Sequence, residues 1–183
     1  MFFDDYDTVY QLIVEAMKAA IAKRGGEFKP SQMVEKAARW ACMEKRKSGL
    51  MFYGGVGNGK TTIAHALCDV FNWLGGTKFA RVSAVELTRR YSAMQETFIN
   101  QKTAPCLFID DLGCEEKTVK IYGTTYSPII DVLTYRYERN LMTIVTTNFG
   151  EKELAEYYDI RIYDRMKEMF NRVAFTQESF RKL

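Results

Sequence analysis

A chain of 183 residues, 47% hydrophobic and 27% charged, has the composition of a soluble globular domain and the length to bury a core without disulfide staples. No run of about 18 apolar residues predicts a membrane-spanning helix, and the acidic opening Met1-Phe2-Phe3-Asp4-Asp5-Tyr6-Asp7 is unlike a basic signal peptide, so a cytoplasmic protein is expected. A net charge of +3 does not announce a nucleic-acid binder. The single histidine, His65, and four cysteines without close spacing (Cys42, Cys68, Cys106, Cys114) exclude a multi-histidine metal site and read as thiols of a reducing compartment.

Asp7 to Lys23 carries Val9, Leu12, Ile13, Ala16, Met17 and Ala20 on one helical stripe, ended by Gly25-Gly26, and reads as core packing in preference to a partner-binding helix. A second helix follows Pro30-Ser31, with Met33, Ala37, Trp40 and Ala41 on its apolar face. Lys45-Arg46-Lys47 reads as solvated surface before the short apolar strand Gly49 to Tyr53. Next comes Gly54-Gly55-Val56-Gly57-Asn58-Gly59-Lys60-Thr61, a full match to G-x-x-x-x-G-K-[ST]. Its glycines let the backbone turn its N–H groups toward phosphate, Lys60 reaches the β- and γ-phosphates of ATP, and the Thr61 hydroxyl is a Mg²⁺ ligand. Thr62 to Leu74 continues as a helix, which puts the phosphates at its N-terminus and Thr62 in the ATP-binding set.

Lys78 to Val82 reads as a strand and Ala84 to Asn100 as one or two helices. Pro105 to Ile109 is a buried strand running into Asp110-Asp111, the Walker B arrangement, where Asp110 is the metal-side residue and Asp111 the base that polarises water. Ser127-Pro128 opens a helix to about Asn140, with Ser127 as its cap. Leu141 to Thr147 is a strand that ends at Asn148, whose amide suits the attacking water or the γ-phosphate, although asparagine there is commonly a turn residue. Arg172 to Phe175 is a short last strand, and the alternation of strands and helices implies a parallel sheet covered on both faces.

Arg161 and Arg165 share a face if their segment is helical, and Arg181 follows the last strand. Each pairs as readily with a nearby carboxylate as it serves a phosphate, yet phosphoryl transfer gains about a thousandfold or more from an added arginine. Arg81, Arg89, Arg90 and Lys102, with Tyr91 and Phe98, fit a DNA surface and a solvated basic face equally well.

The ordered set GGVGNGKTT, LFIDDLG, IVTTN, R-x-x-x-R and S-F-R resembles the AAA+ ATPases of the DnaC/IstB type, bacterial and phage helicase loaders and their transposon-encoded relatives. The resemblance runs from about Lys36 to the C-terminus. It implies an α/β, three-layer P-loop core with a parallel sheet of about five strands, N-terminal helices and no separate lid domain. It divides the chain into a helical segment of residues 1–30 and an AAA+ ATPase core of residues 31–183. It implies Mg²⁺-dependent ATP hydrolysis by a homo-oligomer acting on DNA, single-stranded DNA included, with a replicative helicase or transposase as partner. By the same resemblance Asn148 is sensor 1, Arg165 the arginine finger acting on a neighbour's ATP, and Arg181 the sensor 2 arginine acting in its own subunit. Arg161 is the other arginine of the finger motif.

Two departures stand out. The family usually has Asp-Glu where this chain has Asp110-Asp111, and the shorter base implies slow turnover. Loaders also carry a helicase-gripping N-terminal domain, while about 30 residues here leave room for one helix. The alternatives are an IstB-type transposition ATPase, a small P-loop kinase and a non-hydrolysing binding module. A kinase calls for an arginine-rich lid, whereas Glu115 to Tyr126 has Lys117 and Lys120 but no arginine. The intact Asp110-Asp111 pair argues against the module.

Overall fold

Side-chain alternation along the strands sets the layers. In a computed structural model that describes residues 2–175, Leu50 and Phe52 of β1 (Gly49–Gly54) belong to one core cluster and Met51 to another. Cys106 and Phe108 of β3 (Cys106–Leu112) oppose Leu107 and Ile109 in the same way, as Ile144 opposes Val145 on β6 (Met142–Thr147). Strands apolar on both faces need cover on both sides. One cover is α1 (Tyr6–Ala22), α2 (Gln32–Cys42) and α3 (Lys60–Gly75). The other draws on α4 (Ala84–Ala93), α5 (Gln95–Thr103), α6 (Pro128–Glu138), α7 (Glu151–Tyr158) and α8 (Ile160–Met169).

With β2 (Ala80–Ser83) and β7 (Phe170–Phe175), the strands form a five-stranded sheet in the order β2-β3-β6-β1-β7. Every pairing in it is parallel. This is the three-layer α/β P-loop fold expected from the chain pattern. β1 is followed by a helix on one face and its neighbour β6 by helices on the other, so the loops after these strands part at one end of the sheet, where ligands of such folds bind.

The N-terminal helix is core structure. Val9, Ile13, Val14 and Met17 of α1 are buried in the cluster that holds Leu67 and Phe71 of α3. Asp5, Ser31 and Ser83 cap α1, α2 and α4 by accepting from Thr8, Met33 and Glu86 backbone N–H groups at 3.0, 3.1 and 3.1 Å. Ser127 precedes Pro128 as expected, but its side chain makes no capping bond.

Arg46 corrects the reading of its tripeptide as solvated surface. Its guanidinium lies 4.2 Å from the Trp40 ring centroid and donates to the Trp40 and Ala41 carbonyls at 3.0 and 2.7 Å, closing the end of α2. Burial pulls its pKa down to about 10. Arg136, fully buried, spends its donors on neutral oxygens: Thr143 Oγ1 at 2.8 Å and the carbonyls of Lys102, Ala104 and Met142 at 3.0, 2.7 and 2.7 Å. It ties α6 to the starts of β3 and β6.

The segment after β3 is not a loop. β4 (Val119–Ile121) and β5 (Thr124–Tyr126) form an antiparallel hairpin, with Ile121 opposite Thr124.

Candidate nucleotide-binding site

The P-loop joins β1 to α3, and β7 dictates its first glycine. A Cβ on Gly54, which has φ 131°, would run into the Phe175 carbonyl. Gly59, at the head of α3, is left-handed with φ 91°. Asn58 is buried under the loop, with its amide nitrogen 3.4 Å from the same Phe175 carbonyl. Val56 is exposed on the rim.

Lys60, only 5% exposed, folds back into the loop. Its ammonium donates to the carbonyls of Gly54 and Gly55 at 2.8 and 2.6 Å, and to the side-chain oxygens of Asn58 and Asn148 at 3.2 and 2.9 Å. These acceptors are neutral, so a triphosphate offers the cation charged oxygens in their place. The bond to Asn148 brings the end of β6 to the P-loop.

Asp110 and Asp111 sit in a bulge. β3 and β6 pair as Ile109 with Val145 and then as Leu112 with Thr147, which gives β3 one residue too many. Asp111 takes up the excess with φ 54°, in the left-handed region that aspartate tolerates better than most residues. Thr146, fully buried, locks the bulge: its hydroxyl donates to Asp110 Oδ1 at 2.6 Å and accepts from the Asp111 N–H at 2.9 Å. Thr61 Oγ1 donates to the same Asp110 oxygen at 2.9 Å. One carboxylate oxygen thus gathers two hydroxyls, an all-oxygen donor set that suits Mg²⁺.

Behind the bulge lies a residue that the sequence gave no reason to single out. Glu115 is 4% exposed; its Oε2 accepts from the Gly113 N–H at 2.8 Å and its Oε1 from the Tyr158 hydroxyl. The Tyr157 hydroxyl donates to its backbone carbonyl. The turn after Asp111 is therefore clamped to the end of α7, and burial pushes the Glu115 carboxyl above its ordinary pKa.

The model of the ATPase family associated with various cellular activities (AAA) matches residues 50–171, two thirds of the chain. The chain belongs to the AAA family of ATPases. Membership assigns nucleotide binding and ATPase activity in the general sense of that family. Among solved structures, the DnaC helicase loader is similar with a TM-score of 0.67 at 21% identity, over 81% of this chain and 94% of that one. DnaI gives 0.66 at 24%, over 91% and 93%. Replication initiator DnaA bound to AMPPCP and single-stranded DNA gives 0.56 at 15%, over 81% of this chain and 47% of that one. At these identities the likeness is one of fold. No curated protein matches.

Within this AAA fold neither the Arg161 nor the Arg165 side chain makes a hydrogen bond or ion pair with the P-loop among the described residues. Arg161 and Arg165 lie on α8, both exposed. Arg165 points to α6, 3.4 Å from Thr134 Oγ1 and 5.9 Å from the Tyr137 ring centroid. The Arg161 guanidinium has no hydrogen-bond or ion-pair partner among the described residues. Arg181 lies outside the described residues. The cations weighed as a DNA surface are engaged at home: Arg89 and Arg90 share Glu86, Arg81 holds Asp69, and Lys102 holds Asp131. No helix among the described residues is long and apolar enough to cross a membrane, and none of them form a metal-binding cluster of His, Cys, Asp and Glu.

Proposed function

We propose that this AAA protein is an accessory ATPase of DNA replication, a loader-like protein working as an oligomer on DNA with a replicative helicase. The observation that carries the oligomer is the exposed pair on α8: Arg165 makes its polar contact with α6, and the Arg161 guanidinium has no partner among the described residues. A γ-phosphate that needs an arginine then takes it from a neighbouring copy. The loader role draws on the fold shared with DnaC and DnaI, which favours it over IstB-type transposition. AAA membership favours an ATPase over the small kinase.

In this reading residues 1–30 are a helical segment laid on the AAA+ core of residues 31–183. Gly54, Gly55, Val56, Gly57, Asn58, Gly59, Thr61 and Thr62 cradle the triphosphate with backbone N–H groups at the head of α3. Lys60 exchanges its carbonyl acceptors for the β- and γ-phosphates. That exchange frees the Asn148 side chain to orient water. Thr61 and Asp110 would hold Mg²⁺, which when bound neutralises charge on the phosphates. Asp111 accepts the proton of the attacking water. Arg165 reaches the γ-phosphate of a neighbour, and Arg181 serves its own subunit.

The reading is tested by ATP turnover per subunit across a protein dilution series, with and without single-stranded DNA, beside sizing with and without ATP. A rate that rises with concentration, and a larger species with ATP, are expected. A concentration-independent rate from a monomer contradicts the proposal.

A further inference from the structure

The β4-β5 hairpin holds an aromatic side chain in solvent at an energetic cost. Its two-residue turn, Tyr122-Gly123, has φ 49° and 81°, so both residues are left-handed. Asn-Gly or Gly-Gly suits such a turn, and tyrosine there costs roughly 1 kcal/mol by comparison. Packing returns nothing for it, because Tyr122 is fully exposed. Below the tip, Val119 and Ile121 are half-buried and Tyr126, 38% exposed, lies 5.5 Å from the Tyr91 ring of α4. Lys120 and Thr125, paired across the ladder, are exposed on the other side. From Lys117 through Ser127 the chain has two lysines, two tyrosines and no acid.

From this we infer that the hairpin is a contact site for single-stranded nucleic acid, with Tyr122 stacking on a base and Lys120 and Lys117 meeting the phosphates. Stacking on an exposed ring needs no base sequence, and neighbouring cations that follow a backbone are its usual company. The larger basic set on α4 and α5 is less suited, since its arginines and lysine hold carboxylates of their own chain. The hairpin is rooted just beyond Glu115, the residue that clamps the turn after Asp111. The inference rests on the proposed action on DNA and adds where the strand is held.

The test is fluorescence anisotropy with a labelled oligo-dT at low salt, on the full chain with ATP, for wild type, Tyr122→Asn, Tyr122→Phe and Lys120→Ala. Asparagine accepts the left-handed turn, so Tyr122→Asn should unfold at the same temperature as wild type or higher. It should nonetheless bind oligo-dT about tenfold more weakly or worse, while Tyr122→Phe keeps the affinity. Lys120→Ala should flatten the salt dependence. Wild-type binding unchanged by Tyr122→Asn would overturn the hairpin site while leaving DNA action standing. A wild type that hydrolyses ATP but binds no oligo-dT would overturn both. Tyr122-dependent binding by a protein whose ATPase is monomeric would uphold the hairpin and sink the oligomer.

Discussion

At the scale of single residues, the site is a set of charges held by neutral neighbours. Lys60 rests on carbonyls, and Asp110 rests on two hydroxyls. Phosphate binding follows from replacing the first set, so Lys60→Ala should abolish nucleotide binding in a titration. The two acids should separate. Asp111→Asn should bind ATP and Mg²⁺ and fail to hydrolyse, because an amide cannot take the water's proton. Asp110→Asn should also weaken the Mg²⁺-dependent part of binding. Normal turnover by both would mean that the acids only shape the bulge. Lys60, Thr61, Asp110 and Asp111 are legible in the sequence because short covalent spacing fixes them. Thr146 is not: its hydroxyl serves Asp110 and Asp111 from another strand, across 36 and 35 positions of sequence.

At the scale of elements, the turn after β3 is joined to α7 by a buried acid. Burial raises the Glu115 pKa, so the folded chain binds that proton more tightly than the unfolded chain does. Its contribution to stability is complete below the ordinary value of 4.5 and is lost as pH rises through the higher folded value. In urea unfolding across this range, wild type should lose stability relative to Glu115→Gln as pH rises. Glu115→Ala should cost about 1–3 kcal/mol at low pH, where the wild-type contribution is complete, since the Gly113 N–H and Tyr158 hydroxyl lose their acceptor. A constant difference between wild type and Glu115→Gln would show that folding leaves the Glu115 pKa unshifted. Elements with strong periodicity, α1, α3 and the core strands, were readable because burial alone dictates them. The hairpin was not, since Tyr-Gly is a poor turn dipeptide and its short strands are mostly solvent-facing. Nor was α7, which buries only Leu154 and Tyr158.

At the scale of the whole molecule, the account turns on what one copy lacks. Glu115 ties the turn beyond Asp111 to α7, and Asp159, with φ 77°, joins α7 to the helix that bears Arg161 and Arg165. In the proposed oligomer, a change at the γ-phosphate of one subunit would therefore have a short path to the arginines offered to the next. The most direct measurement is ATP turnover by Arg165→Ala and Asp111→Asn, each alone and mixed in equal amounts. Each alone should lose roughly 10³-fold or more, about 4 kcal/mol of barrier, with ATP affinity preserved. On mixing, an Asp111→Asn subunit lends its Arg165 to the intact acids of its neighbour, so about a quarter of interfaces become complete and activity returns in part. No recovery at any mixing ratio, with turnover per subunit independent of concentration, would contradict the account and make this a monomeric enzyme.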